Sequence, residues 1–413
     1  MIIKHSLLYI FSSLFSRAMP FLLLPIFTHF LSPSEFGQFS IFQVILAFTI
    51  ALFGMNLQTN ITVNYFRMNK DILKLYFGNI FLILLFNIFL LSLLLIVFSF
   101  YSTSIFSISI NYLYFLPLLV LLTVFVEIYT SLLRSQKKAI EFVIVEIAST
   151  FFRFLLISSL IIYFYLGWES FIIGSIVSLF TASLYCIYSL YKQNYIAINY
   201  NKSISKKILV ISIPLIPHAV GGMVIAMSDR LFIESIVGIN EVGIYAVGYS
   251  FGMIVSLFSD AFIKAWAPWF YEKMNNLNEQ AKRQIVKITY LYIIFILLMS
   301  IIIYGVSLVL IPYMTAPEYH SATKYVFWIS LAYSIQGVYK IFFPYLVQFS
   351  KTHYLAITTL LAAILSLIGN YFFIHKYGAV GAAYSTILAF IISSMCVSYI
   401  ALKQVKLPWL LLK

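Results

Sequence analysis

Long apolar stretches fill this 413-residue chain almost end to end, and Lys and Arg gather in every second connection between them. With 62% hydrophobic and 9% charged residues, no soluble core could bury so much apolar surface, whereas roughly 20 apolar residues cross hydrocarbon as one helix. The polar breaks predict twelve spans, the first six at 8–31, 36–58, 75–100, 111–133, 141–166 and 169–190. The second six follow at 207–235, 241–267, 285–313, 321–349, 352–375 and 380–402. The expected fold is an all-α membrane protein.

Orientation follows from charge. With a cytoplasmic N-terminus, the inner segments hold 19 of the 26 basic residues, including Arg67, Lys70, Lys74, Arg134, Lys137, Lys138, Lys206 and Lys207. The outer loops keep Lys324 and Lys376 and carry Glu35, Glu169, Glu241 and Glu318. This bias predicts both termini inside a bacterial inner membrane. The net charge of +13 then reflects orientation and anionic headgroups rather than nucleic acid. Met1–Leu31 has too long an apolar run, and no small-residue cleavage site, for a signal peptide. Cys186 and Cys396 both fall inside predicted helices, so neither a disulfide framework nor a Cys-based metal site is expected.

Six spans per half make parallel repeats. Glu35-Phe36-Gly37-Gln38-Phe39 opens the second span and Glu241-Val242-Gly243-Ile244-Tyr245 the eighth, while Gly167 and Gly378 begin the turns into the sixth and twelfth. The expected organisation is an N-terminal bundle over 1–195, a cytoplasmic linker over 196–206 and a C-terminal bundle over 207–413. The first span of each half carries paired prolines, Pro20 with Pro25 and Pro214 with Pro217. Each pair should kink or break its helix, because proline removes a backbone donor and clashes with the preceding turn. Such breaks fit either a transport site or a static kink.

A charge at the bilayer centre costs at least about 2.5–3.5 kcal/mol, so it persists where it faces protein or a wet cavity. Arg17 and Arg153 fall near the midplane of the first and fifth spans, with no acid at the same depth in either helix. They are the first candidates for a cationic cavity suited to phosphate. Arg230, Lys340 and Lys264 extend the basic set, and Glu127, Glu146, Asp229 and Asp260 are the acids available for proton or sodium coupling. Internal pairing would account for Asp260 with Lys264 at i,i+4, Asp229 with Arg230, and Glu146 with Arg153. Tyrosines and phenylalanines are expected at interfaces and in packing, and Gly248 with Gly252 in a close helix contact. Nothing resembles a nucleotide-binding loop, a catalytic triad or a metal-binding His pair, so neither ATP hydrolysis nor covalent catalysis is expected, and no cofactor or metal.

The chain resembles the Wzx-type polysaccharide flippases. The likeness rests on Arg17 and Pro20, on Pro25 before Ser32-Pro33-Ser34-Glu35-Phe36-Gly37, on Asp229-Arg230 before Glu241, and on Gly378-Ala379-Val380-Gly381-Ala382-Ala383. That family shares a superfamily with multidrug and toxic compound extruders and lipid II flippases. The resemblance implies a V-shaped pair of bundles that alternates access and moves undecaprenyl-pyrophosphate-linked O-antigen or capsule repeat units to the periplasmic leaflet. It implies further that Arg17, Arg153 and Arg230 contact the pyrophosphate or anionic sugar, and that an O-antigen polymerase and a chain-length regulator are partners. An ion-coupled multidrug or metabolite exporter on the same scaffold is the competing reading. Cationic cargo would call for acids in the cavity, and the basic residues near mid-membrane outnumber them.

Overall fold

The computed structural model describes residues 12, 15–16, 18–197 and 199–409. Its sole β structure among them is a hairpin pairing Ser104–Ile105 antiparallel with Ile108–Ser109. Everything else regular is helix, because in lipid a helix satisfies every backbone group within its own segment. Two compact units emerge, Met1–Met223 and Val224–Lys413.

The first unit runs through α1 (Leu24–Phe30), α2 (Pro33–Gly54), α3 (Gln58–Asn64), α4 (Lys70–Ser99), α5 (Ile110–Leu113), α6 (Leu116–Ser135), α7 (Ala139–Phe164), α8 (Ser170–Lys192) and α9 (Lys202–Ser212). Helix α2 starts where Ser32-Pro33-Ser34-Glu35 forms a capping box. The Ser32 hydroxyl accepts from the Glu35 amide at 3.3 Å, and Glu35 accepts from the Ser32 amide at 2.9 Å. Phe27, Phe39 and Phe171 pack together at its first turns, tilted and edge-to-face, with centroids 4.8 and 4.9 Å apart. Buried Asn79 on α4 accepts from the Asn201 amide at 2.8 Å and the Ser205 hydroxyl at 2.9 Å, and donates to the Asn199 carbonyl at 3.0 Å. The stretch read as a linker, 196–206, is thereby tied to α4, and Asn60 fastens the far end of α9 through the Ser212 hydroxyl at 2.8 Å.

Helix α10 (Leu215–Ile236) crosses from the first unit into the second. The second unit continues with α11 (Ile239–Gly252), α12 (Ile254–Asn275), α13 (Glu279–Met314), a 3-10 turn (Pro317–Ala322), α14 (Thr323–Gln348), α15 (Thr352–Tyr377) and α16 (Val380–Gln404). Small residues set its closest approaches. A Cβ on Gly248 would lie 2.8 Å from the Ala322 carbonyl oxygen, and one on Gly252 would lie 2.5 Å from Cγ2 of Ile329. Gly378 turns the chain from α15 into α16 at φ 65°, a backbone region that favours glycine.

Ten helical stretches among the described residues are long and apolar enough to cross a membrane. The two longest uninterrupted helices, α4 with 30 residues and α13 with 36, leave most of their apolar surface outside the core: Phe89 is 63% and Val309 71% exposed. Such surface is stable against acyl chains. Helix α7, with 26 residues and the charges Glu146 and Arg153, stands outside those ten, and the first expected span, 8–31, falls partly outside the described residues.

Candidate functional site

The densest buried polar group in the second unit forms where α10, α11 and α14 meet. Asp229 is 2% exposed; its carboxylate accepts from the Tyr245 hydroxyl at 2.7 Å and from the Arg230 amide at 2.8 Å. Arg230 lies at 9% exposure with its guanidinium 4.3 Å from the centre of the Tyr249 ring, a cation–π geometry. No hydrogen bond or ion pair reaches that guanidinium among the described residues, and its Nε is buried without a partner. The Tyr249 hydroxyl reaches the Ala226 carbonyl at 2.9 Å and also contacts the Tyr333 hydroxyl. Nearby on the same helix, the Ser228 hydroxyl accepts from the Asn370 side-chain amide of α15 at 3.3 Å, leaving Oδ1 of Asn370 buried and unbonded.

Local sequence explains the placement. Asp229 and Arg230 come at the fifteenth and sixteenth positions of a helix that starts just past Ile213 and Pro214, where a turn interrupts the helix although Ile213 keeps helical dihedrals. Pro217 falls in the first turn of α10, where a missing amide hydrogen matters little. Tyr245 and Tyr249, four apart on α11, present their rings to one side. A buried guanidinium over an aromatic face, with an unsatisfied donor, can receive an anionic oxygen at small desolvation cost, because burial has already removed its water.

A second polar pair lies between α12 and α14. Nζ of Lys340 is 2.6 Å from Oδ1 of Asp260 and 3.2 Å from the Ser256 hydroxyl. Asp260 thus bonds across helices to Lys340; the i,i+4 pairing with Lys264 expected from the sequence does not form, and Lys264 is exposed. An exposed i,i+4 pair gains only about 0.3–0.5 kcal/mol, less than a charge-assisted bond between side chains 20% and 26% exposed. Lys340→Met should lower stability by about 1 kcal/mol after allowance for screening. Adding Asp260→Asn should restore part of that loss, which a double-mutant cycle by thermal unfolding in detergent will read.

In the first unit, Glu127 of α6 and Glu146 and Arg153 of α7 are all half-buried. Glu146 lies within electrostatic reach of both Glu127 and Arg153, yet no ion pair forms between them among the described residues. Arg17 lies outside the described residues; its neighbour Ser16 is hydroxyl-to-hydroxyl with Thr150 of α7 at 3.2 Å. A turn interrupts the helix at Leu23, between Pro20 and Pro25, although Leu23 keeps helical dihedrals and i→i−4 bonds on both sides. The structure therefore gathers Asp229 with Arg230, and Asp260 with Lys340, while Lys264 belongs to neither group. Sequence reasoning missed Tyr245, Tyr249, Tyr333 and Asn370. The four-residue spacing of the first two tyrosines, one helix after an Asp-Arg pair, was the available signal.

A family model described as polysaccharide biosynthesis protein matches residues 2–274. Two proteins of Haemophilus influenzae are similar to the chain. An uncharacterized membrane protein is 25% identical over 68% of this chain and 68% of its own length. The Lsg locus putative protein 1 is 23% identical over 66% of this chain and 67% of its own. Among solved structures, the lipid II flippase MurJ in an inward closed conformation superposes with a TM-score of 0.74 at 16% identity, covering 96% of this chain and 87% of that one. An inward-facing multidrug resistance MATE family transporter of the MOP superfamily superposes with a TM-score of 0.71 at 13% identity, covering 94% of both chains.

Proposed function

Because the chain belongs to the polysaccharide biosynthesis protein family and has the fold of membrane flippases and exporters, we propose that it carries a lipid-linked glycan across a bacterial inner membrane. The cargo in this reading is an undecaprenyl-pyrophosphate-linked O-antigen or capsule repeat unit, moved from the cytoplasmic to the periplasmic leaflet by alternating access. The polymerase and chain-length regulator would act on the delivered unit. Helix α7 and the span expected at 8–31 complete twelve in this reading, with both termini inside.

The observation that carries the proposal is the buried Arg230 guanidinium, held on an aromatic face with an unpartnered Nε. A buried cation with a free donor and no ion pair among the described residues, with only the Asp229 charge in electrostatic reach, favours a visiting anion. Arg153, half-buried and without an ion pair among the described residues, supplies a second cationic position in the first unit, and Arg17 a third in the sequence. Coupling to a proton or sodium gradient belongs with Asp229, whose carboxylate sits directly against Arg230, and with Glu127, Glu146 and Asp260.

Deleting the gene should cause single repeat units to accumulate on the inner leaflet and surface glycan to disappear. Unchanged glycan with increased drug sensitivity would overturn the reading in favour of an exporter. Arg153→Ala should remove surface glycan while protein levels stay near normal, and Arg153→Lys should recover part of it, since an ammonium lacks the fork that binds phosphate oxygens in pairs. Loss of the Ala protein from the membrane would assign Arg153 to packing.

A further inference from the structure

The first unit contains a cavity of about 310 Å³ between α4, α6, α8 and the segment after α8, a volume at the low end of ligand-sized pockets. Its walls are apolar apart from Ser183, with Phe81, Phe125, Leu121 and Leu184 prominent among them. On α8, Phe180 is 52%, Leu184 52% and Ile187 47% exposed, so the cavity is open along the outside of that helix.

Depth and charge identify an occupant. Helix α4 begins at Lys70 and α8 ends at Lys192, so these two ends share the basic side of the unit together with Arg134, Lys137 and Lys138. Counted from those ends at about 1.5 Å per residue, Phe77–Phe81 and Phe180–Leu190 occupy roughly one leaflet, about 15 Å of hydrocarbon. The basic end of the cavity is floored by Tyr195, whose ring packs on Phe77 at 5.5 Å. Nζ of Lys70 stands 5.5 Å from the centre of that ring. Lys74, one turn before Gly78 of the wall, reaches the Asn194 side-chain oxygen at 2.8 Å. An apolar slot one leaflet deep, with two ammonium groups at its headgroup end, complements a molecule with a hydrocarbon chain and an anionic head.

We propose that this cavity seats an acyl chain of an anionic phospholipid of the bilayer, its phosphate held at Lys70 and Lys74. The lipid is a resident ligand on the wall of the first unit. It fills apolar volume that would otherwise lack contacts, and it ties α4 to the turn after α8.

The test uses the full chain in neutral detergent, with native mass spectrometry and thermal unfolding after addition of phosphatidylglycerol or phosphatidylcholine. Phosphatidylglycerol is expected to bind one-to-one and raise the unfolding temperature, with phosphatidylcholine at least about tenfold weaker, as two nearby lysines should discriminate. The Lys70→Gln/Lys74→Gln protein should lose that preference, and Leu184→Trp, which fills the cavity from an exposed position, should lose the bound lipid altogether. A Lys403→Gln control should change neither. Equal binding of the two lipids, or lipid retained by Leu184→Trp, would overturn the proposal. An equal thermal shift from inorganic phosphate alone would assign the lysines to a free anion. Displacement of phosphatidylglycerol by stoichiometric undecaprenyl phosphate would assign the slot to the tail of a carried lipid. Failure of the double variant to fold would leave Leu184→Trp to decide.

Discussion

Arg230→Met is expected to reduce glycan export by on the order of a hundredfold while the protein remains in the membrane. Methionine approximates the bulk of the arginine stem but offers no donors, and two lost charge-assisted hydrogen bonds at about 1.5 kcal/mol each account for that factor. Asp229 would keep the Tyr245 hydroxyl at 2.7 Å and the backbone amide at 2.8 Å, so the fold loses a cation–π contact of about 0.5–2 kcal/mol and the positive charge beside Asp229 rather than the whole network. Arg230→Lys should fall between, keeping charge over the Tyr249 ring without the planar fork. Surface glycan and membrane protein level measured together decide the case. Wild-type export from the Met protein would remove Arg230 from the cargo path. A Met protein that fails to accumulate, beside a fully active Lys protein, would mark a packing role.

Gly252→Leu should lower stability by about 3 kcal/mol, a large share of the roughly 5–15 kcal/mol available to a typical protein. The added Cβ would lie 2.5 Å from Cγ2 of Ile329 and 3.1 Å from the Ser330 backbone nitrogen. A helix backbone cannot yield as a side-chain tip can, so α11 and α14 must separate. That movement would also spoil the contact between the Tyr249 and Tyr333 hydroxyls, which bridges the same two helices. Gly305→Leu is the matched control, since a Cβ there meets nothing within 4 Å. The yield of monodisperse protein from detergent extracts should collapse for Gly252→Leu and hold for Gly305→Leu; equal yields would contradict the packing account.

Much of the helical layout was legible because periodicity matters little once a segment must satisfy its own hydrogen bonds in lipid. The stretch read at 285–313 falls inside α13, and that at 75–100 overruns the end of α4 by one residue. The turn at Ile213 and Pro214 was announced by its proline pair, whereas hydropathy could not supply the junction at Met253 between α11 and α12. The Gly248–Gly252 pair pointed to a close contact by composition alone, and the contact with α14 follows from the missing side chains. Partnering between charges was harder. Asp260 and Lys264 invite pairing by spacing, yet the carboxylate turns across to Lys340, 80 residues away, which only the packing of α12 on α14 can specify. The tyrosines around Arg230 stayed hidden for a different reason: in a chain with 31 tyrosines, no single one stands out by composition.

The unequal lengths of α2 and α4 within the first unit make it responsive to bilayer thickness. With 22 residues, α2 spans about 33 Å, close to the roughly 30 Å of hydrocarbon, and has little slack. With 30 residues, α4 extends about 45 Å and must lean or protrude to hide its apolar length. A thinner or thicker membrane therefore changes the inclination of α4 before it strains α2. Since Asn79 of α4 holds Asn201 and Ser205 at the entry to α9, hydrophobic mismatch reaches the start of that helix directly, through a single asparagine.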